Sequence, residues 1–180
     1  MSTAAYKFKI VMLGDFAVGK TSLVKRFVYD AFDDMYLTTL GVKVTKKEIH
    51  IEDNGNRVEV MLLLWDIGGH GRFSEISMNY LKGAGGAIIV SDLSNADTMK
   101  HIQDHISLFH EINPGGKFFV ALNKADLVDA GKSGSDYIKK YLDHPASCPD
   151  DVVFLTSAKT GNNVETLFHT MAVQMMREKQ

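Results

Sequence analysis

Gly14-Asp15-Phe16-Ala17-Val18-Gly19-Lys20-Thr21 constrains this chain more than any other segment. It has the form G-x-x-x-x-G-K-T and follows an apolar run, Tyr6–Leu13, that reads as a β-strand. A loop of this kind turns successive backbone N–H groups inward, where they bind phosphate oxygens. The helix that follows adds its positive N-terminal end. Lys20 brings a point charge to the β- and γ-phosphates, and the Thr21 hydroxyl is offered to Mg²⁺. Phe16, Ala17, Val18, Gly19, Lys20, Thr21 and Ser22 are therefore expected around a polyphosphate. The strand before and the helix after distinguish this loop from a chance glycine-rich turn.

The 180 residues suit one domain spanning 1–180, long enough to bury a core without staples. Apolar residues make up 45% and charged residues 23%, the balance of a soluble globular protein. A net charge of −2 provides no field to draw the chain to nucleic acid or an anionic membrane. Cys148 is the only cysteine, so no internal disulfide forms, and a reducing, cytoplasmic setting is expected. Between Pro145 and Pro149 it reads as an incidental loop thiol. No apolar run reaches the roughly 18 residues a membrane span needs. Neither a signal peptide, a myristoylation site nor a prenylatable cysteine is visible, so membrane association would require a lipidated tail outside this sequence. A monomer is expected.

Apolar runs alternate with helical patterns, which predicts an α/β fold with a mostly parallel sheet. The strands are predicted at Tyr6–Leu13, Val42–Ile51, Arg57–Asp66, Ala87–Leu93, Lys117–Asn123 and Val152–Ser157. Val42–Ile51 mixes polar and apolar positions and is placed at an edge, where Lys46-Lys47 would discourage a further strand from adding. Asp53-Asn54-Gly55-Asn56 is a tight-hairpin signal that forces this strand antiparallel to the next. Helices are predicted over Lys20–Tyr29, Asp97–Ile112, Asp136–Leu142 and Asn163–Glu178. The last carries Val164, Leu167, Phe168, Met171 and Met175 on one stripe, read as core. His101 and His105 lie four apart on the Asp97–Ile112 helix, but no third ligand accompanies them, so they read as a solvent-facing surface.

Three strand ends and one loop carry the remaining chemistry. Trp65-Asp66-Ile67-Gly68-Gly69 places a carboxylate, Asp66, where Mg²⁺ can be held, and gives Gly69 a backbone N–H that can approach a γ-phosphate. Asn123-Lys124-Ala125-Asp126 selects the base. A carboxylate accepts from both N1–H and the exocyclic amine of guanine, whereas adenine offers a lone pair and a C–H. Hydrogen bonds to charged groups contribute about 1.5–3 kcal/mol each. A site built this way rejects an analogue lacking the donors by roughly 10⁴-fold. Asn123 can bond the base or tie the loop down, and the Lys124 stem can cover a ring face. In Thr156-Ser157-Ala158-Lys159, the Ala158 N–H can donate to the guanine oxygen, with Ser157 and Lys159 beside it. In the polar stretch Phe32–Gly41, Phe32 and Tyr36 can contact the nucleotide, and Thr39 can complete Mg²⁺ coordination and meet the γ-phosphate. Thr38 competes for that role.

With GDFAVGKT, Thr39 in YLTTLG, WDIGG, NKAD and TSAK in order, the chain resembles a Ras-superfamily small GTPase from about Tyr6 to Met176. The TTLGV segment and the stretch from Arg72 to Ala84 are most similar to the Rab branch, while Gly68-Gly69 resembles the Arf branch. The resemblance implies a three-layer P-loop GTPase domain: six strands, one of them an antiparallel edge strand, with helices on both faces. It implies GTP and GDP as ligands with Mg²⁺, and GTP hydrolysis assisted by Lys20, Thr39 and Gly69; His70, standing where the family has Gln, is expected to take part in its place and to leave hydrolysis slow. It also implies effectors, exchange factors and GTPase-activating proteins that read two loops, near Phe32–Gly41 and Asp66–Tyr80, and a regulatory role in membrane traffic.

Three positions depart from the family pattern. Phe16 stands where many members have a small residue, beside the entry route of an activating arginine. It would obstruct that arginine or turn outward onto a partner. His70 replaces the water-orienting Gln, and Gly71 replaces an acidic residue. Phe16 and His70 keep open a second reading, a GTP-binding scaffold that hydrolyses almost nothing. A small-molecule kinase is the third, weakened by NKAD and by the absence of Arg from Asp126 to Asp151.

Overall fold

The structure, a computed structural model, describes residues 6–33, 38–68, 75–129, 131–142, 148 and 150–179. Its strands are β1 (Tyr6–Leu13), β2 (Val42–Asp53), β3 (Asn56–Ile67), β4 (Gly86–Asp92), β5 (Lys117–Asn123) and β6 (Val153–Leu155). They form one sheet in the order β2-β3-β1-β4-β5-β6. Only the β2–β3 pair is antiparallel. The helices are α1 (Lys20–Tyr29), α2 (Glu75–Leu81), α3 (Ala96–Lys100), α4 (Ile102–Ile112), α5 (Gly134–Ile138) and α6 (Val164–Arg177).

Side chains alternate across each strand, so the inner strands bury both faces. Phe8, Ile10 and Met12 of β1 pack with Leu23 and Phe27 of α1 and Phe168 and Met171 of α6. Val11 and Leu13 face the other way, toward Ile102, Ile106 and Phe109 of α4 and Ile138 of α5. The Phe27 and Phe168 rings stack 4.2 Å apart, locking α1 to α6. This face fixes the helix that starts at the phosphate loop.

The hairpin forms as expected. Asp53 pairs with Asn56, leaving Asn54 and Gly55 as a two-residue turn with φ of 49° and 77°. Both φ values are positive, as a type I′ turn requires. Within β2 the buried positions are Thr45, Ile49 and Ile51, while Val44 is exposed. Lys47 leans inward: its ammonium lies 5.6 Å from the centre of the Phe27 ring and donates to the Val28 carbonyl at 3.3 Å.

Several boundaries differ from the sequence reading. The helix expected over Asp97–Ile112 is two, α3 and α4, because His101 adopts φ −92° and ψ −1° and interrupts the helical hydrogen bonding. Asn95 caps α3 by accepting from the Asp97 N–H at 3.1 Å. His105, expected on a solvent-facing surface, is buried. Strand β6 ends at Leu155 rather than Ser157, since the chain turns away once the Thr156 N–H has bonded the Leu122 carbonyl. Part of the expected Asp66–Tyr80 loop is the helix α2, whose seven residues are too few to show helical periodicity in sequence. The Asp136–Leu142 helix starts earlier, at Gly134, and tightens to a 3₁₀ turn over Lys139–Tyr141. Cys148 is a core thiol rather than a loose one, and burial pushes it up to about 11.

Candidate functional site

The carboxyl ends of β1, β3 and β5 open onto a cavity of about 310 Å³. Phe16, Ala17, Gly19, Lys20, Thr21 and Ser22 line one end; Asn123, Lys124, Asp126, Ala158 and Lys159 line the other. Phe32 and Thr39 complete the wall between them. Residues far apart in sequence meet here because a parallel α/β sheet gathers the loops that follow its strands at one edge.

The phosphate loop is held from inside and out. Gly19 has φ 102°, and a Cβ there would lie 2.2 Å from Asn123 Nδ2, so only glycine fits. Asn123 Nδ2 donates to the Val18 carbonyl at 3.0 Å, tying the loop to β5. The Val18 side chain is buried in the core, so only its backbone is left to face the cavity. Two non-glycine residues of the wall take left-handed conformations, Ala17 at φ 63° and Lys124 at φ 62°. Strain of that kind persists where surrounding structure over-determines it.

Lys20 is buried, and its Nζ donates to the carbonyls of Gly14 at 2.8 Å and Asp15 at 2.7 Å. Desolvation lowers its pKa to about 8, against the opposing pull of Asp66 and Asp15. The ammonium is thus a buried cation on the cavity wall.

Three oxygen-bearing side chains meet beside it. Thr21 Oγ1 donates to Asp66 Oδ2 at 2.5 Å and accepts from Thr39 Oγ1 at 2.7 Å. Of the two threonines left open by the sequence, Thr39 reaches this cluster while Thr38 is exposed. The Asp66 carboxyl is buried, and burial raises its pKa despite the Thr21 hydrogen bond and Lys20. Its other oxygen, Oδ1, is sealed without a hydrogen-bond partner among the described residues. A buried carboxylate oxygen left over beside two hydroxyls fits a hard, oxygen-seeking cation such as Mg²⁺.

At the far end Ser157, itself buried, donates to Asp126 Oδ1 at 2.6 Å, fixing the carboxylate that lines the cavity. Asn123 ties the loop while also lining the cavity: its Oδ1 accepts from the Ala158 N–H at 3.2 Å and from Thr156 Oγ1 at 3.4 Å. The Ala158 N–H, expected to be directed at a base oxygen, is thus engaged within the protein. Lys124 pairs with Asp92 at 2.7 Å, which pins its stem along the wall. Although desolvation opposes it, the Asp92 carboxyl is held below its ordinary range by bonds from Lys124 and Ser94.

Phe16 is 45% exposed at the cavity wall. Gly69, His70, Gly71 and Tyr36 lie outside the described residues. Sequence reasoning missed Lys25 and Leu127, which also line the cavity, and Arg26, which grips the Ala158 and Lys159 carbonyls from behind. No motif contains Arg26, and these contacts lie more than a hundred residues away in sequence.

Among the described residues no helix is long and apolar enough to cross a membrane. The phosphate loop, the hydroxyl–carboxylate cluster and the held Asp126 thus lie along one cavity. The model of the Ras family matches residues 9–177, and this chain belongs to that family of small GTPases.

Proposed function

We propose that the chain is one G domain over residues 1–180 that binds GDP and GTP with Mg²⁺ in this cavity and hydrolyses GTP slowly, switching between two states. The observation that carries the reading is the common wall shared by Lys20 and Asp126, joined through the Asn123–Val18 hydrogen bond. One end offers a buried cation to phosphates. The other offers a fixed carboxylate to the N1–H and amine of guanine. Adenine would leave that charge unpaired, a penalty of several kcal/mol.

Thr21, Thr39 and Asp66 would hold Mg²⁺, which supplies charge neutralisation to phosphoryl oxygens in hydrolysis. Thr39 comes from the loop before β2, so its engagement beside Thr21 would couple that loop to the γ-phosphate. Backbone N–H groups of the phosphate loop and Lys20 would stabilise the transferring group, and Gly69 would add an N–H. His70 would orient water, accepting through one nitrogen and donating through the other.

The TTLGV and Arg72–Ala84 segments favour a Rab-like regulatory role in membrane traffic, read by effectors, exchange factors and activating proteins at the two loops, in the cytoplasm and as a monomer. Phe16 favours the second reading, a GTP-loaded scaffold: a phenyl ring at the cavity wall takes space beside the γ-phosphate position. Single-turnover release of γ-phosphate from bound GTP, for the native chain and His70→Gln, decides between them. Competition of bound GDP by GTP against ATP tests the shared premise; equal competition overturns it.

A further inference from the structure

The side chain of Asp15 points away from the cavity and onto α4. Its Oδ2 lies 2.6 Å from His101 Nδ1, and its Oδ1 lies 3.1 Å from His105 Nε2. Each carboxylate oxygen thus accepts from one imidazole, His101 at the junction that opens α4 and His105 within α4, both more than eighty positions downstream. The same residue's main-chain carbonyl accepts from Lys20 Nζ at 2.7 Å. Asp15 is a junction: its backbone steadies the phosphate-binding ammonium, and its side chain is gripped by α4. The His105 N–H bonds the His101 carbonyl at 3.1 Å, so the two rings lie one helical turn apart on the same side and reach one carboxylate.

We propose that His101 and His105 are positioning residues for the phosphate loop, holding Asp15 so that the loop and Lys20 keep the shape that receives a polyphosphate. The proposal rests on the nucleotide reading above. A carboxylate with two charge-assisted donors is far costlier to release than one facing water. Neither histidine needs to touch nucleotide for this.

The two rings differ in what a proton does. The His101 side chain is 52% exposed and faces Asp15, Asp104 and Asp97; the hydrogen bond to Asp15 raises its pKa. The His105 side chain is 9% exposed and faces Asp15, Lys20 and His101; burial lowers its pKa in spite of Asp15. Between pH 8 and pH 6, therefore, His101 gains charge and strengthens the grip, while burial works against protonation of His105.

The test compares the native chain with Asp15→Ala, His101→Gln with His105→Gln, and all three substitutions together. Amide hydrogen exchange at Phe16 and Ala17, without nucleotide, reads the loop directly. Exchange is expected to quicken about tenfold in either variant, and no further in the combination, because one interaction is removed twice. Release of labelled GDP is expected to slow from pH 8 to pH 6 in the native chain and to lose that slope in Asp15→Ala. Unchanged exchange, strictly additive effects, or an intact pH slope in Asp15→Ala overturns the proposal. If the native chain retains no GDP but the exchange pattern holds, the nucleotide reading falls and the Asp15 clamp stands.

Discussion

Arg26 Nε donates to the Ala158 carbonyl at 2.7 Å while its Nη2 donates to the Lys159 carbonyl at 2.6 Å. A residue on the first turns after the phosphate loop therefore holds the base-side loop in place. The fork of a guanidinium can satisfy two adjacent carbonyls at once; an ammonium cannot do so in the same plane. Arg26→Ala is expected to speed GDP release about tenfold, with Arg26→Lys restoring only part of the loss. Stopped-flow displacement of labelled GDP measures this, and release at the native rate in Arg26→Ala would discount the link.

Asp126 is fixed by Ser157, and under the proposed function its charge would set which purine edge is accepted. Asp126→Asn exchanges one acceptor oxygen for an amide donor. That suits a 2-oxo purine better than a 2-amino purine. The variant should lose about 10²-fold or more in GDP affinity and gain for xanthosine diphosphate. Calorimetric titration with both nucleotides checks the reversal. A variant that still prefers GDP would show that the base is chosen elsewhere.

Gly19 carries a backbone conformation and a neighbour that each exclude a side chain. The added methyl of Gly19→Ala would press on Asn123 Nδ2, breaking the tie to Val18. A cost on the order of 1–3 kcal/mol is expected from the backbone alone, together with loss of GDP binding. Thermal melting with and without GDP reads both effects.

Stability should respond to acid through His101. Its folded pKa is raised above 6.5 by the Asp15 hydrogen bond, so its contribution is full below pH 6.5 and fades as pH climbs through the raised value. The His101→Ala variant should accordingly lose more Tm relative to the native chain at pH 6 than at pH 8. An equal loss at both would mean that the ring acts through packing alone.

The Cys148 thiol is buried and raised to about 11, so thiolate is scarce near neutrality. Alkylation by iodoacetamide at pH 7.5 should be slow in the folded protein and fast in denaturant, followed by intact-mass spectrometry. Ready modification of the native chain would contradict its burial.

The phosphate loop, the six strands, the Asn54-Gly55 turn and the place of Asp126 on the cavity wall were legible in sequence because each is a local pattern. A glycine at a required spacing, alternating burial or a turn dipeptide states its conformation within a few residues. The choice of Thr39 over Thr38 was not local. It depended on which hydroxyl the loop before β2 delivers to Thr21 and Asp66 across the sheet edge. The same holds for Asn123, whose side chain braces the phosphate loop, and for Val18, whose side chain the core claims. His101 and His105 looked like a polar helix face because sequence spacing cannot show that Asp15 lies opposite them. Periodic burial and motif chemistry act along the chain, so the amino-acid order alone determined the architecture and the ligand class. Hydrogen bonds between distant loops act only after the strands have stacked, so the tertiary structure alone decided which side chains brace the site and which face the ligand.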